Sequence, residues 1–368
     1  MINDKEIIVN DKFVRVKLDT NLYFEDNVDH FENGFLRLLG LDQKVGLDFI
    51  RMVLLEYKNG RIDPIDLLSN SWNQIVNQNK QKENYGIQYS DLDYCGIERL
   101  KPESIYHVNG YMNFIVAVNN SFGHGWLLDS TGKILMDDQA ELYEQEYYEG
   151  SKEGLGYGDY QKQKWRAEKM KRLAERVIKV CQEVLISKKS YSGLDAGSGY
   201  GDFVQQINKL GHYALGVDTS KYATEFAKNN YNVDAFCGNL AKLKAYEIRK
   251  FDFITMWDYL EHPFEPWNEL KIANELLTKK GLLFIKTPNI NAAERFVFGP
   301  KYHSFKREHL HYFSKNSLEK VLQHTGFSVV RIDQISHLFG GFSMIDFNKY
   351  FSNNELGSDL FVIAQKSN

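Results

Sequence analysis

The chain has 368 residues, with 45 lysines and arginines against 49 aspartates and glutamates and a formal net charge of −4. That length suggests two domains, at roughly 100–200 residues each, and the mildly acidic balance argues against a nucleic-acid scaffold, whose affinity rests on neutralised phosphates. The longest apolar stretches, such as 49–55, fall far short of the roughly 20 residues of a membrane-spanning helix.

No low-complexity tract or internal repeat is visible along the chain. Residues 12–18 alternate polar and apolar side chains and predict a half-buried strand. Residues 35–56 place Leu38, Leu41, Val45, Phe49 and Val53 at helical spacing. Residues 105–135 carry aromatic and β-branched runs broken by Asn119, Asn120, Gly123 and Gly125, which predicts a small antiparallel sheet. No catalytic motif is evident before the glycine- and serine-rich stretch near residue 150, a plausible junction.

Beyond it the pattern becomes regular. A helix is predicted over 161–186, with Met170, Leu173, Val177, Cys181 and Val184 on one face. Strands are predicted at 191–196, 213–217, 233–236, 251–256 and 282–286. Helices fill the gaps near 202–210, 220–229, 241–248, 264–279 and 314–324. The last two apolar runs, 327–335 and 360–365, predict an antiparallel edge pair. Strand–helix alternation implies a doubly wound α/β domain with a seven-stranded, mostly parallel sheet. The expected division is an N-terminal α+β domain over 1–145 and the α/β domain over 146–368.

Ligands of such sheets bind at the carboxyl ends of the strands. The first strand runs into DAGSGYG, where Asp195 heads a loop with Gly197, Gly199 and Gly201 at alternate positions. Glycines there let the backbone turn sharply and approach a ligand at a helix N-terminus. Asp218 closes the second strand, where a carboxylate can accept both hydroxyls of a ribose. An acid at the head of the loop repels a dinucleotide's pyrophosphate but suits an ammonium group, so an NAD-linked oxidoreductase is the weaker alternative. The fourth strand is followed by WDYLEHP at 257–263.

DAGSGYG, GVDTS (216–220), WDYLEHPFEP (257–266), GLLFIKTPN (281–289) and REHLHYFS (307–314) together resemble class I S-adenosylmethionine-dependent methyltransferases. Within them the pattern is most similar to small-molecule and sugar methyltransferases with DxLEH and EHLxxF motifs. YYEGSKEGLGYGDY (147–160) matches the segment that precedes the core in that branch. The resemblance spans residues 146–368 and not the first 140 or so.

It implies S-adenosylmethionine as cofactor and S-adenosylhomocysteine as product. Gly197, Gly199 and Gly201 would cradle the cofactor, with Asp195 toward its amino group, Asp218 on the ribose and Thr219 beside the adenine. Asn239 and Leu240 stand where the family often has an acidic adenine contact. Asp258 and Tyr259 would line the cofactor below its sulfonium, and Tyr157 or Tyr160 would close over it. His262, Glu308 and His309 are the candidates for removing the acceptor's proton. Two features depart from sugar C-methyltransferases: Lys306 replaces a tyrosine two positions before the Glu, and no cysteine-rich zinc module occurs. His303, His309 and His311 have ligand-like spacing, but methyl transfer needs no metal and none is expected.

The expected function is thus methyl transfer to oxygen, nitrogen or carbon of a small polar metabolite: a sugar, a nucleotide sugar or a natural-product intermediate. Lys301, Lys306 and Arg307 raise an anionic acceptor. A catalytically silent, cofactor-binding relative is the alternative from another class. The N-terminal region would shape the acceptor site or make a homodimer contact, and neither a nucleic acid nor a membrane is an expected partner. Cys95, Cys181 and Cys237 are widely spaced, and the first residues lack the apolar core of an export signal, so a reducing cytoplasm is the expected compartment.

Overall fold

The alternating residues 12–18 do form a strand. β1 (Asn3–Val9) and β2 (Lys12–Leu18) pair antiparallel in the computed structural model, which describes residues 3–9, 12–18, 92–108, 113–135, 143, 145–149, 164–185, 188–246, 249–292, 295, 300, 302–335 and 357–367. The helix expected over 35–56 and the junction at 150–158 lie outside the described residues.

β3 (Leu92–Tyr94) and β4 (Glu98–Leu100) make a second short pair. The aromatic and β-branched run supplies β5 (Ser104–Val108), β6 (Phe114–Asn119) and β7 (His124–Leu128), which pair antiparallel in sequence order. Every residue of β6 and β7 is buried, so this sheet is covered on both faces.

A short helix α1 (Gln145–Glu149) and the long helix α2 (Lys164–Val184) come next. α2 buries Ala174, Val177, Ile178 and Cys181, whereas Val184, expected on the same stripe, is exposed where the helix ends. The regular alternation then runs β8 (Ser192–Ala196), α3 (Asp202–Lys209), β9 (Tyr213–Asp218), α4 (Lys221–Tyr231), β10 (Ala235–Cys237), α5 (Leu240–Tyr246), β11 (Phe251–Trp257), α6 (Pro266–Leu276) and β12 (Leu277–Pro288). β13 (His311–Phe313), α7 (Lys315–His324), β14 (Phe327–Ile335) and β15 (Asp359–Lys366) complete it.

Seven strands form one sheet in the order β10-β9-β8-β11-β12-β15-β14, the first five parallel. Period-two alternation divides its side chains between two cores: Leu282 and Phe284 pack with α2 and α3, Leu283 and Ile285 with α5, α6 and α7. Burial of each such side chain is worth roughly 1.5–3 kcal/mol, which holds helices to both faces. The last two runs form the expected antiparallel edge pair, in which β15 lies antiparallel between β12 and β14. Its first six residues are buried, which suits an interior strand, while β14 exposes Ser328, Val330 and Arg331 and takes the edge.

The smaller sheet has the order β13-β7-β6-β5, so residues 311–313 pair with a strand from the expected N-terminal domain. Leu92, Tyr94 and Trp126 share a core with Leu318 and Val321, and Tyr106 and Val116 share another with Ile290 and Tyr312. The expected boundary at 145 is therefore crossed by one sheet and two cores. Polar bonds reinforce the crossing at the start of α7. Ser314 and Ser317 form a reciprocal capping box, Ser317 Oγ also donates to the Gly123 carbonyl at 2.8 Å, and the Tyr94 hydroxyl donates to the Ser317 carbonyl. Among the described residues no helix is long and apolar enough to cross a membrane.

Replacing Ser317 by Ala removes one half of the cap and the bond to Gly123. We expect a loss of about 1–2 kcal/mol in urea unfolding followed by circular dichroism. An unchanged midpoint would mean that this hydroxyl does not tie the two segments together.

Candidate functional site

Because β8 to β12 are parallel, the residues that end them gather at one edge of the sheet. Asp195 lies opposite Gly216, Asp218 opposite Cys237 and Trp257 opposite Lys286, and the turn that carries Glu261 and His262 follows β11 directly. The loop after β8 takes its shape from its glycines. Gly197, Gly199 and Gly201 all have positive φ (71°, 51° and 78°), a conformation costly for other residues. Gly197 and Ser198 donate their N–H groups to the Val217 carbonyl, which binds the loop to β9. A Cβ on Gly199 would meet the Tyr148 ring at 3.6 Å, so the middle of the loop lies against that tyrosine.

Asp218 anchors this loop. One carboxylate oxygen accepts from the Gly199 N–H at 2.8 Å, the other from the Ser220 N–H at 2.9 Å and from the Tyr148 hydroxyl at 3.4 Å. Burial raises its pKa, against the pull of those donors. Asp195 is buried and accepts from the Thr255 hydroxyl at 2.6 Å; burial pushes its pKa up to about 7. Thr219 is exposed beside it on the β9 end, and Leu240 is wholly buried. Asn239 is exposed, and its side-chain oxygen accepts the Lys242 N–H at 2.8 Å at the start of α5, so that oxygen is engaged in a helix cap.

Asp258 holds a left-handed backbone (φ 51°) and pairs with Lys286 at 2.6 Å, which also reaches Asp359 at 3.0 Å. Burial works against the lysine charge, but Asp258 and Asp359 outweigh it and hold the pKa well above the ordinary value. Tyr259 lies against the glycine loop: a Cβ on Gly197 would sit 2.7 Å from its ring. Its hydroxyl donates to Glu269 at 2.8 Å.

The three candidate proton-handling residues fall together, with differing surroundings. His262 Nδ1 is 2.7 Å from the Glu308 carbonyl and 2.8 Å from the Tyr143 hydroxyl. His309 Nδ1 is 2.8 Å from the Ser304 carbonyl. A carbonyl only accepts, so both rings carry hydrogen on Nδ1 and leave Nε2 as a lone pair. The rings meet edge to face at 4.9 Å, and burial lowers both pKa values. The Glu308 carboxylate lies 3.9 Å from Lys306 Nζ, while its carbonyl orients His262. Glu261 adjoins them: one carboxylate oxygen accepts from the Thr287 hydroxyl at 2.9 Å, the other is buried without a hydrogen-bond partner, and burial, then the Asp258 charge, push its pKa up to about 8. His311 instead binds His124 and the Phe264 carbonyl, apart from this group.

Several participants escape sequence reasoning. Tyr148 reaches Asp218 and stacks on Tyr200 with ring centroids 5.0 Å apart, and Tyr143 reaches His262. Tyr157 and Tyr160, expected to close over the cofactor, lie outside the described residues. Lys286 offered a signal, a lone charge within the apolar strand GLLFIKTP.

The buried acids at the head of the loop and the end of β9, with the left-handed glycine turn between them, fit an ammonium group and a ribose. Residues 163–332 match the family model described as a methyltransferase domain. This segment is a class I S-adenosylmethionine-dependent methyltransferase domain. No curated protein matches the chain. Among solved structures it is similar to S-adenosylmethionine-dependent methyltransferases from three organisms. That from Clostridium acetobutylicum is 11% identical, covering 54% of this chain and 92% of that one with a TM-score of 0.40. That from Archaeoglobus fulgidus is 18% identical over 54% and 94%, TM-score 0.39. That from Thermotoga maritima is 18% identical over 57% and 95%, TM-score 0.41. At these values the likeness carries no weight for substrate or mechanism. The methyltransferase domain uses S-adenosylmethionine, which supplies an electrophilic methyl group on a sulfonium.

Two predictions test the loop. Asp218→Ala removes a charged acceptor worth roughly 1.5–3 kcal/mol to a hydroxyl, so S-adenosylmethionine should bind about ten- to a hundredfold more weakly by calorimetry. Wild-type affinity would mean that the ribose is held elsewhere. Asp195 has a folded pKa raised above its unfolded value, so its contribution to stability is present at low pH and is lost as pH rises from about 4 to about 7. Without cofactor, Asp195→Asn should therefore gain several degrees in Tm on the wild type between pH 4 and 7, with a constant difference above. Parallel curves would show that Asp195 titrates normally.

Proposed function

We propose that this methyltransferase acts on a small polar metabolite, a sugar, nucleotide sugar or natural-product intermediate, whose reacting atom is bound against the Nε2 edges of His262 and His309. The observation that carries this reading is the tautomer of the two imidazoles. Each is fixed by a main-chain carbonyl at Nδ1, which leaves Nε2 unprotonated, and the two rings meet at 4.9 Å. Low pKa values keep both rings neutral near pH 7, so that edge attracts a hydroxyl or amine hydrogen rather than an anion. Lys306 lies 3.9 Å from the Glu308 carboxylate at the same edge.

The chain's own contribution is positioning. Asp195 orients the cofactor's amino group, Asp218 holds its ribose, and the 302–313 segment presents the imidazoles. Alignment of nucleophile and methyl carbon accounts for much of the rate of such a displacement, and removal of the acceptor's proton at this group adds to it. The pairing of β7 with β13 supports a role for the N-terminal part in shaping the acceptor site. The free thiols of Cys95 and Cys181 are buried, in keeping with a cytoplasmic enzyme.

A panel of hydroxylated metabolites and nucleotide sugars, assayed by S-adenosylhomocysteine release, tests the acceptor class. No release above background with any member would sink it. With an acceptor in hand, His309→Ala should keep cofactor affinity and lower turnover roughly a hundredfold or more. Unchanged turnover would remove His309 from the mechanism.

A further inference from the structure

Glu261, His262 and His309 each point one ligand atom toward the others, all three within 4.8 Å, although the residues come from two separate loops. His262 Nε2 lies 4.0 Å from Glu261 Oε1, the carboxylate oxygen that is buried without a hydrogen-bond partner. A buried carboxylate oxygen left unpaired is expensive, and the Thr287 bond that fixes the other oxygen turns this one toward the histidines. We propose that Glu261, His262 and His309 hold a divalent transition-metal ion. The inference rests on the placement of the acceptor at the two imidazoles and names what stands between them and it.

Four features fit an ion better than a bare cluster. Two imidazoles and one carboxylate form a donor set that suits zinc and its neighbours rather than magnesium or calcium, which take oxygen ligands. Both histidines already donate Nδ1–H to a main-chain carbonyl, the outer bond that orients a metal-ligating imidazole. The surroundings carry the charge to match: Asp258 pairs with Lys286, and Lys306 pairs with Glu308, so the Glu261 carboxylate is left to face the cation. Finally, Glu261 and His309 are 1% and 3% exposed, whereas the His262 side chain is 17% exposed. An ion there would have protein on one side and an opening on the other. Bond lengths near 2.0–2.2 Å require the ligand atoms to draw together by roughly 1 Å, a change within reach of side-chain rotation. Three protein ligands leave positions open for the acceptor's oxygen or nitrogen, so the ion would fix the acceptor's orientation.

The test uses the full chain without a histidine tag, stripped with chelator and titrated with Co2+ and Zn2+. We expect one Co2+ per chain, visible-region absorption, displacement by Zn2+, and no competition from excess Mg2+. Glu261→Gln and His309→Ala should each weaken Co2+ binding at least tenfold, while His324→Ala, on α7, should leave it unchanged. Each variant is also titrated with S-adenosylmethionine, whose retained binding shows an intact fold. Absence of a Co2+ spectrum in the wild type, or equal affinity in His309→Ala, overturns the metal site and leaves the methyl-transfer reading standing. A bound metal with no S-adenosylhomocysteine release from any acceptor would do the reverse.

Discussion

The arrangement of the site depends on one three-residue strand. β13 pairs along its length with β7, and its first residue also donates its N–H to the Glu261 carbonyl at 3.0 Å. Phe313 bridges to Asn289 at the end of β12, and the Leu310 carbonyl accepts the Leu127 N–H at 3.0 Å. The strand is thus joined to the turn after β11, the end of the large sheet and the small sheet at once. That three-way attachment brings His309 onto His262, 47 positions apart in the chain (309 − 262), at a ring separation of 4.9 Å. Without it the 302–313 segment would be a long connection with no reason to fold over the strand ends.

Buried charge is the second constraint, and the fold meets it in two ways. On one side of the site buried charges are paired: Lys286 with Asp258 and Asp359, Arg166 with Asp202 at 2.8 Å. Such pairs avoid the large cost of an isolated buried ion without adding much net stability. On the other side, Asp195 and Glu261 are buried with a hydroxyl each, burial outweighs the nearby Arg166 and Lys286, and their pKa values rise to about 7 and 8. Groups displaced that far are where ligand chemistry belongs, because a bound cationic partner restores the charged form. Burial is the first cause of both shifts.

The sequence made the large sheet legible because five buried parallel strands read as short apolar runs, and the glycine loop legible because alternate left-handed residues need glycine. It hid the rest for identifiable reasons. β13 is three residues long, too short for any periodicity, and its partner β7 lies 187 positions away, His124 from His311. β15 reads as a terminal run, and only the burial of its first six residues tells that it lies inside the sheet while β14 takes the edge. The interfaces of Tyr143 and Tyr148 depend on tertiary placement of a five-residue helix and the residue just before it, for which local pattern gives no sign. Asn239 shows the converse: a position that matches a family contact spends its side-chain oxygen on capping α5.

Tyr148 has a further consequence for how the cofactor enters. Its hydroxyl occupies one of the directions in which Asp218 can accept, and its ring stacks on Tyr200 within the loop. At 3.4 Å that bond is the longest of the three to the carboxylate, and it is the one not built from main chain. A ribose hydroxyl at Asp218 would compete first with Tyr148 rather than with the Gly199 and Ser220 N–H groups, which are main-chain donors. The segment that carries Tyr148 also carries α1, whose Glu149 accepts from the Tyr222 hydroxyl on α4 at 2.5 Å. That bond ties the helical turn carrying Tyr148 to α4.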